Sequence, residues 1–271
     1  MIHQRIELWN KESDPVKGNP GSKLNTYVLD GERTRPAVLI CPGGGYHFLS
    51  PREAEPIALR YAAHGFHAFV VEYSVAPHRH PQPVLDVARA LCIIREHARE
   101  WNVAQVALCG FSAGGHVAAT LATHWERGDL FDRPGLSVRD SRPDALILSY
   151  PVISSGPHSH ADSFVNLLGD DPSADLLQEL SLETAVSASV PPAFLWHTAN
   201  DESVPVENSF LFAQALKKAG VPFELHIFPN GPHGLSLATA ETATEDRRAM
   251  PDVAVWHDLS VSWLRSLFGF E

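Results

Sequence analysis

The sequence predicts one α/β domain built on a mostly parallel sheet with helices on both faces. Eight short runs rich in apolar and β-branched residues recur along the 271 residues, and from the third onward they alternate with stretches of helical period. That is the pattern of buried parallel strands joined by crossover helices. No Gly/Pro/Ser-rich linker divides the chain, so residues 1–271 read as a single domain, and 44% hydrophobic against 20% charged residues supplies a sizeable core.

The runs "RIELW" (5–9) and "NTYVLD" (25–30) precede the alternation. "AVLIC" (37–41), "HAFVVEY" (67–73), "QVALC" (105–109), "ALILSY" (145–150), "AFLWHT" (193–198) and "FELHIF" (223–228) are short and apolar enough for strands. Three helices are legible. Residues 83–101 repeat Val84, Val87, Leu91 and Ile94 at helical spacing, with Pro83 suited to the first turn. Residues 116–125 follow a serine motif directly, and 206–220 end on Lys217, Lys218 and Gly220, a stop signal. Residues 151–190 break the rhythm with Ser, Pro, Asp and Leu in no clean period. An insertion of that length in a compact domain predicts a lid or pocket wall at one end of the sheet.

Composition excludes several functions. The formal charge of −11 and the lack of a Lys/Arg block argue against nucleic acid or anionic membrane as partner. No apolar run approaches a membrane span, and "MIHQRIELWN" carries no signal core. Three cysteines, Cys41, Cys92 and Cys109, are an odd number without a disulfide framework, which predicts a reducing, cytoplasmic setting. A neutral small molecule is compatible, and no cofactor is expected.

"CGFSAGG" (109–115) carries the chemistry. Strand 105–109 and helix 116–125 flank it, placing Ser112 in a tight strand-to-helix turn. Small neighbours let the backbone close up there and the hydroxyl project above the carboxyl end of the sheet. A serine hydroxyl needs a base to remove its proton, and the base needs an acid to orient it. After Ser112, the loop "ANDESVPV" follows strand 193–198 and presents Asp201, and "PNGPHGLS" follows strand 223–228 and presents His233. Both leave the carboxyl ends of strands, the edge that carries Ser112. Glu202 is the alternative acid, but Asp201 lies closer to its strand. "CPGGGYHF" after strand 37–41 supplies the backbone donors that a developing oxyanion needs. Gly44, Gly45 and the N–H of Ala113 are the expected oxyanion hole, and Tyr46 adjoins it as a candidate substrate contact.

The remaining polar residues read more plainly. His197 and His226 lie inside strands and point into packing, and His116 begins a helix. His78 and His80 in "PHRHP", and His158 and His160 in "PHSHAD", sit in Pro/Ser-rich loops without a third ligand of obvious spacing, so no metal site is expected. The second pair opens the insertion, which makes His158 a candidate for the pocket lining. Asp86 and Arg95 read as a solvated or paired helix face.

Taken together, "CPGGGY" (41–46), "EYSVAP" (72–77), "GFSAGGH" (110–116), "HTANDESVPVENS" (197–209) and "GPHGLS" (231–236) resemble the α/β-hydrolase superfamily. The branch they resemble is that of acetylxylan esterases and bifunctional feruloyl/acetyl esterases. The resemblance implies an eight-stranded hydrolase fold and a serine esterase that removes small acyl groups, acetyl above all, from carbohydrates such as xylo-oligosaccharides. One departure stands out: Pro42 occupies the position where many relatives carry the histidine of His-Gly-Gly-Gly. Proline has no N–H, so the donors must come from the glycines, with Tyr46 as a further candidate. Two other functions stay open, an amide hydrolase of the formamidase or oligopeptidase kind and an inert binding protein. Acyl-chain length, the alcohol and the oligomeric state, homo-oligomers included, are not set by the sequence.

Overall fold

All eight apolar runs form strands of one continuous sheet. The computed structural model describes residues 1–9 and 21–271. The strands are β1 (Arg5–Glu7), β2 (Lys23–Tyr27), β3 (Arg35–Cys41), β4 (His67–Glu72), β5 (Val103–Phe111), β6 (Ala145–Ser149), β7 (Ala193–Thr198) and β8 (Phe223–Phe228). Helices α1 (Glu55–Ala63), α2 (Gln82–Glu96), α3 (Ala113–His124), α4 (Gly128–Phe131), α5 (Ala161–Leu168), α6 (Ala174–Glu179), α7 (Glu207–Ala219) and α8 (Pro251–Phe268) lie between and after them.

The spatial order is β1-β2-β4-β3-β5-β6-β7-β8, and β2 alone runs against the rest. This is the α/β-hydrolase arrangement expected from the sequence. β2 lies earlier than the expected 25–30 because its pairing with β4 starts at Lys23 opposite Glu72.

Side chains alternate across the sheet, as a pleated strand requires. Leu39 and Cys41 of β3 join Val84, Val117 and Phe212 in the core beneath α2, α3 and α7. Val38 and Ile40 join Ile57, Tyr61, Trp256 and Leu264 in the opposite core beneath α1 and α8. Those two helices were not among the expected ones. α8 has a helical stripe in Val253, Trp256, Val261 and Leu264, Pro251 in its first turn and Gly269 at its end in left-handed backbone, φ 61°. Trp256 stacks on Trp196 of β7, ring centroids 5.0 Å apart and planes 18° apart.

The insertion is more regular than its sequence suggested. It holds α5 and α6, each opened by a side-chain cap: His160 accepts from the Ser163 N–H and Ser173 from the Leu176 N–H. Asp86 corrects another expectation, since it is fully buried. Its carboxylate accepts from Trp9 Nε1, the Ser22 and Ser74 hydroxyls, the Ser74 N–H and Gln82 Nε2. Burial raises its pKa against the pull of these donors. A carboxylate with five donors is a hub tying α2 to the end of β4 and the N-terminal segment. Arg95 is paired as expected, 2.9 Å from Asp144. All three cysteines are buried and unpaired, and no described helix is long and apolar enough to cross a membrane.

Candidate active site

β5 runs on to Phe111 and α3 starts at Ala113, so the connecting turn is Ser112 alone. Its backbone sits at φ 53°, ψ −119°, a strained conformation for any residue with a β-carbon. The surroundings hold it there: the Ser112 N–H donates to the Ser149 carbonyl (3.0 Å), and the Ser112 carbonyl accepts from Val152 (3.1 Å) and His116 (3.2 Å). The flanking glycine explains why the turn can close. A β-carbon at Gly114 would overlap the carbonyl oxygens of Cys41 and Pro42.

The loops after β7 and β8 bring Asp201 and His233 to Ser112. His233 Nε2 lies 2.8 Å from Ser112 Oγ, and His233 Nδ1 lies 2.7 Å from Asp201 Oδ2. An ionised carboxylate only accepts, so Nδ1 carries the proton and Nε2 is left to accept from the serine hydroxyl. The second carboxylate oxygen, Oδ1, accepts from the Ser203 and Val204 N–H groups, both at 2.9 Å. Burial alone would raise the Asp201 pKa, but hydrogen bonds from His197 and His233 and the Val204 amide hold it well below the usual carboxylate range. Glu202, the alternative acid, is exposed.

His197 is buried as expected, but it also does more than pack. Its Nε2 donates to the Val204 carbonyl (3.0 Å) and lies 3.4 Å from Asp201 Oδ2, while Nδ1 accepts from Ser209 Oγ (2.8 Å). It lies against the same carboxylate oxygen that His233 contacts. His226 packs its ring on Phe194, centroids 5.0 Å apart, and stays part-exposed on the edge strand β8, with Nε2 3.2 Å from Glu224.

The glycine loop lies against this array. Gly44 (φ 129°) and Gly45 (φ 62°) line the cleft beside Ser112 and His233, and the N–H groups of Gly44, Gly45 and Ala113 donate to no group among the described residues. A β-carbon at Gly44 would strike the Phe48 carbonyl. Buried Glu53 fixes the start of the loop: one oxygen accepts from the Gly43 N–H (2.8 Å) and the other from Tyr150 Oη (2.7 Å). Tyr150 in turn sets its ring edge-on to His233, centroids 5.0 Å apart, and accepts from the Ser236 N–H. Nothing in the sequence singled out Glu53 or Tyr150, because neither lies in a motif and their partners come from distant segments.

Two expected substrate contacts are corrected. Tyr46 is buried beneath the loop, where its hydroxyl donates to His116 Nδ1 (2.8 Å), and His116 Nε2 donates to the Leu180 carbonyl (2.9 Å). Burial lowers His116 to about 4, which keeps it neutral in this role. His158 lies outside the cleft lining; His160, two residues on, occupies the wall. The reason is the start of α5: His160 is its cap, and the helix presents Asp162, Val165 and Asn166 to a cleft of about 450 Å³. Asn166 also donates to the Gly45 carbonyl (2.8 Å), fastening the insertion to the glycine loop.

Neither His-x-His pair gathers a third ligand from the described residues. Among the described residues, His64, His257 and Asp258 alone bring three ligand atoms within 4.8 Å of one another. Arg60 lies 3.6 Å from the same Asp258 oxygen, and none of the three lines the cleft.

A family model described as BD-FAE matches residues 25–216. The chain is 38% identical over 246 residues to endo-1,4-beta-xylanase B of Butyrivibrio fibrisolvens, covering 88% of this chain and 38% of that protein. It is 34% identical over 211 residues to the acetylxylan esterase of Xylanibacter ruminicola, covering 75% of this chain and 42% of that protein. The chain therefore spans about two-fifths of the length of these curated relatives. Among solved structures, an acetyl ester-xyloside bifunctional hydrolase from Caldicellulosiruptor lactoaceticus matches with a TM-score of 0.89 at 42% identity, covering 98% of this chain and 97% of that one.

Proposed function

The chain belongs to the BD-FAE family, and from that premise we propose that it is a serine esterase releasing acetyl and similarly small acyl groups from carbohydrates such as xylo-oligosaccharides. The observation that carries this reading is the unbroken hydrogen-bonded chain from Ser112 through His233 to Asp201, with distances of 2.8 and 2.7 Å.

In the proposed reaction His233 Nε2 takes the hydroxyl proton as Ser112 Oγ attacks the ester carbonyl. The carbonyl π electrons move onto its oxygen, and the Gly44, Gly45 and Ala113 amides receive the negative charge. Each such donor is worth ~2.7–4 kcal/mol in the transition state. The intermediate collapses, His233 protonates the departing alcohol, and the acyl group stays on Ser112. Water then gives one proton to His233 and attacks the acyl-enzyme carbonyl; the Oγ–acyl bond breaks, the acid leaves, and His233 returns the proton to Ser112 Oγ. Ionised Asp201 holds the imidazole in the required tautomer and stabilises the imidazolium formed in each half.

Two features support a carbohydrate alcohol. Relatives bear acetylxylan esterase and acetyl ester-xyloside hydrolase names. The cleft wall is also rich in hydrogen-bonding side chains, among them Ser50, Asp162, Asn166 and Ser203, which suits a hydroxyl-bearing ligand better than a lipid chain. The test is acetate release from acetylated xylo-oligosaccharides measured beside turnover of an N-formyl aromatic amine. The expected result is acetate release with a kcat/KM above that for the formamide. Turnover confined to the formamide would replace the esterase with an amide hydrolase.

A further inference from the structure

Two arginines share the cleft with Ser112 and His233, and the reaction above uses neither. Arg52 and Arg247 converge on the histidine loop: Arg52 Nη2 donates to the Gly234 carbonyl (2.9 Å) and Arg247 Nε to the His233 carbonyl (2.7 Å). A β-carbon at Gly234 would lie 3.1 Å from Arg247 Nε and 3.6 Å from Arg52 Nη2, so both side chains border the same spot. Arg52 uses one further donor on the Thr242 carbonyl. A guanidinium has five N–H donors and stays charged, so most donors of Arg247 remain uncommitted.

The chain's net charge is −11, yet two fixed cations lie side by side here, and neither is in an ion pair among the described residues. The carboxyl groups in the same cleft are Glu53 and Asp162. Both Glu53 oxygens are engaged with Gly43 and Tyr150. Asp162 belongs to α5 and pairs with neither arginine. A pair of guanidiniums bordering a cleft is the donor set that receives a carboxylate, through parallel N–H···O bonds.

The position says which part of the ester carries that carboxylate. His233 delivers its proton to the leaving oxygen, and both guanidiniums are seated on the loop that carries it, so the alcohol portion is the part of the ester assigned to them. We propose that Arg247, with Arg52, forms a subsite for a carboxylate on the alcohol portion of the substrate, so that acylated sugar acids are preferred over acylated neutral sugars. The subsite rests on the esterase reading and names a substrate class within it.

The test compares an O-acetylated methyl glucuronoside with the matching O-acetylated methyl glucoside, which differ only in carboxylate against hydroxymethyl. The wild-type protein is expected to favour the acidic sugar in kcat/KM by about 10- to 100-fold, the range of a hydrogen bond to a charged group. Arg247→Ala should abolish that preference, Arg247→Lys should retain part of it, and added salt should erode it. A measurement without variants runs alongside: free glucuronate, and not glucose, should inhibit hydrolysis of the neutral ester competitively. Equal wild-type rates on the two esters, or a preference unchanged in folded Arg247→Ala, would overturn the subsite and leave the esterase standing. Hydrolysis of neither ester would remove both.

Discussion

Replacing Ser112 by alanine is expected to lower kcat for an acetyl ester by about 10⁴- to 10⁶-fold, the range for loss of an acyl-transfer nucleophile. Stability should not fall with it. The serine hydroxyl's hydrogen bond is to His233. Alanine keeps the β-carbon, and its backbone can make the same bonds to Ser149, Val152 and His116. The turn at φ 53° is therefore no more strained than before. Residual activity reports the oxyanion donors and binding alone. Steady-state kinetics and thermal unfolding on the same preparation separate the two effects; a variant that retains full activity would reject Ser112 as nucleophile.

Asp201→Asn should cost about 10⁴-fold in kcat near neutral pH, for a different reason. The carboxylate accepts from His233 on one oxygen and from the Ser203 and Val204 amides on the other. An asparagine can keep its oxygen toward the two amides only by turning its NH₂ toward His233. Nδ1 must then accept, the proton moves to Nε2, and the imidazole can no longer take the Ser112 proton. Turning the amide over instead sets its NH₂ against two N–H donors, a loss of about 1–3 kcal/mol of stability. Because its surroundings hold Asp201 well below the usual carboxylate range, the wild-type acid stays ionised throughout the working pH range. Exposed Glu202 gives the control: Glu202→Gln should leave kcat unchanged. Loss of activity in Glu202→Gln with activity retained in Asp201→Asn would reverse the assignment.

Ser112, Asp201 and His233 were legible because each follows a strand, and a parallel sheet delivers the carboxyl ends of its strands to one edge. Chain order and strand pattern together located three residues separated by 121 positions at most. Glu53, Tyr150, His197 and Arg247 were not legible in the same way. Their roles come from partners brought near by the fold, such as the Gly43 amide for Glu53 and the His233 carbonyl for Arg247. A glutamate in "SPREAEP" carries no local sign of being buried.

The exchange of His158 for His160 shows the limit of reading a loop by composition. Composition puts the pair near the pocket, but which member faces it depends on the start of α5, and an insertion without a clean period hides that start. α8 is the opposite case: its stripe, Pro251 and Gly269 are all visible in the sequence, but it follows the last strand and carries no residue of the site, so the strand-and-motif pattern does not point to it. Asp86 reads as solvated from helical spacing alone. Its burial follows from Trp9, Ser22 and Ser74, which reach it from other segments.

The most direct test of the account is to react the protein with a fluorophosphonate and map the adduct by peptide mass spectrometry. One covalent adduct is expected, on Ser112, with parallel loss of esterase activity. An adduct on a different serine that accounts for the lost activity, or full activity after complete modification of Ser112, would contradict it.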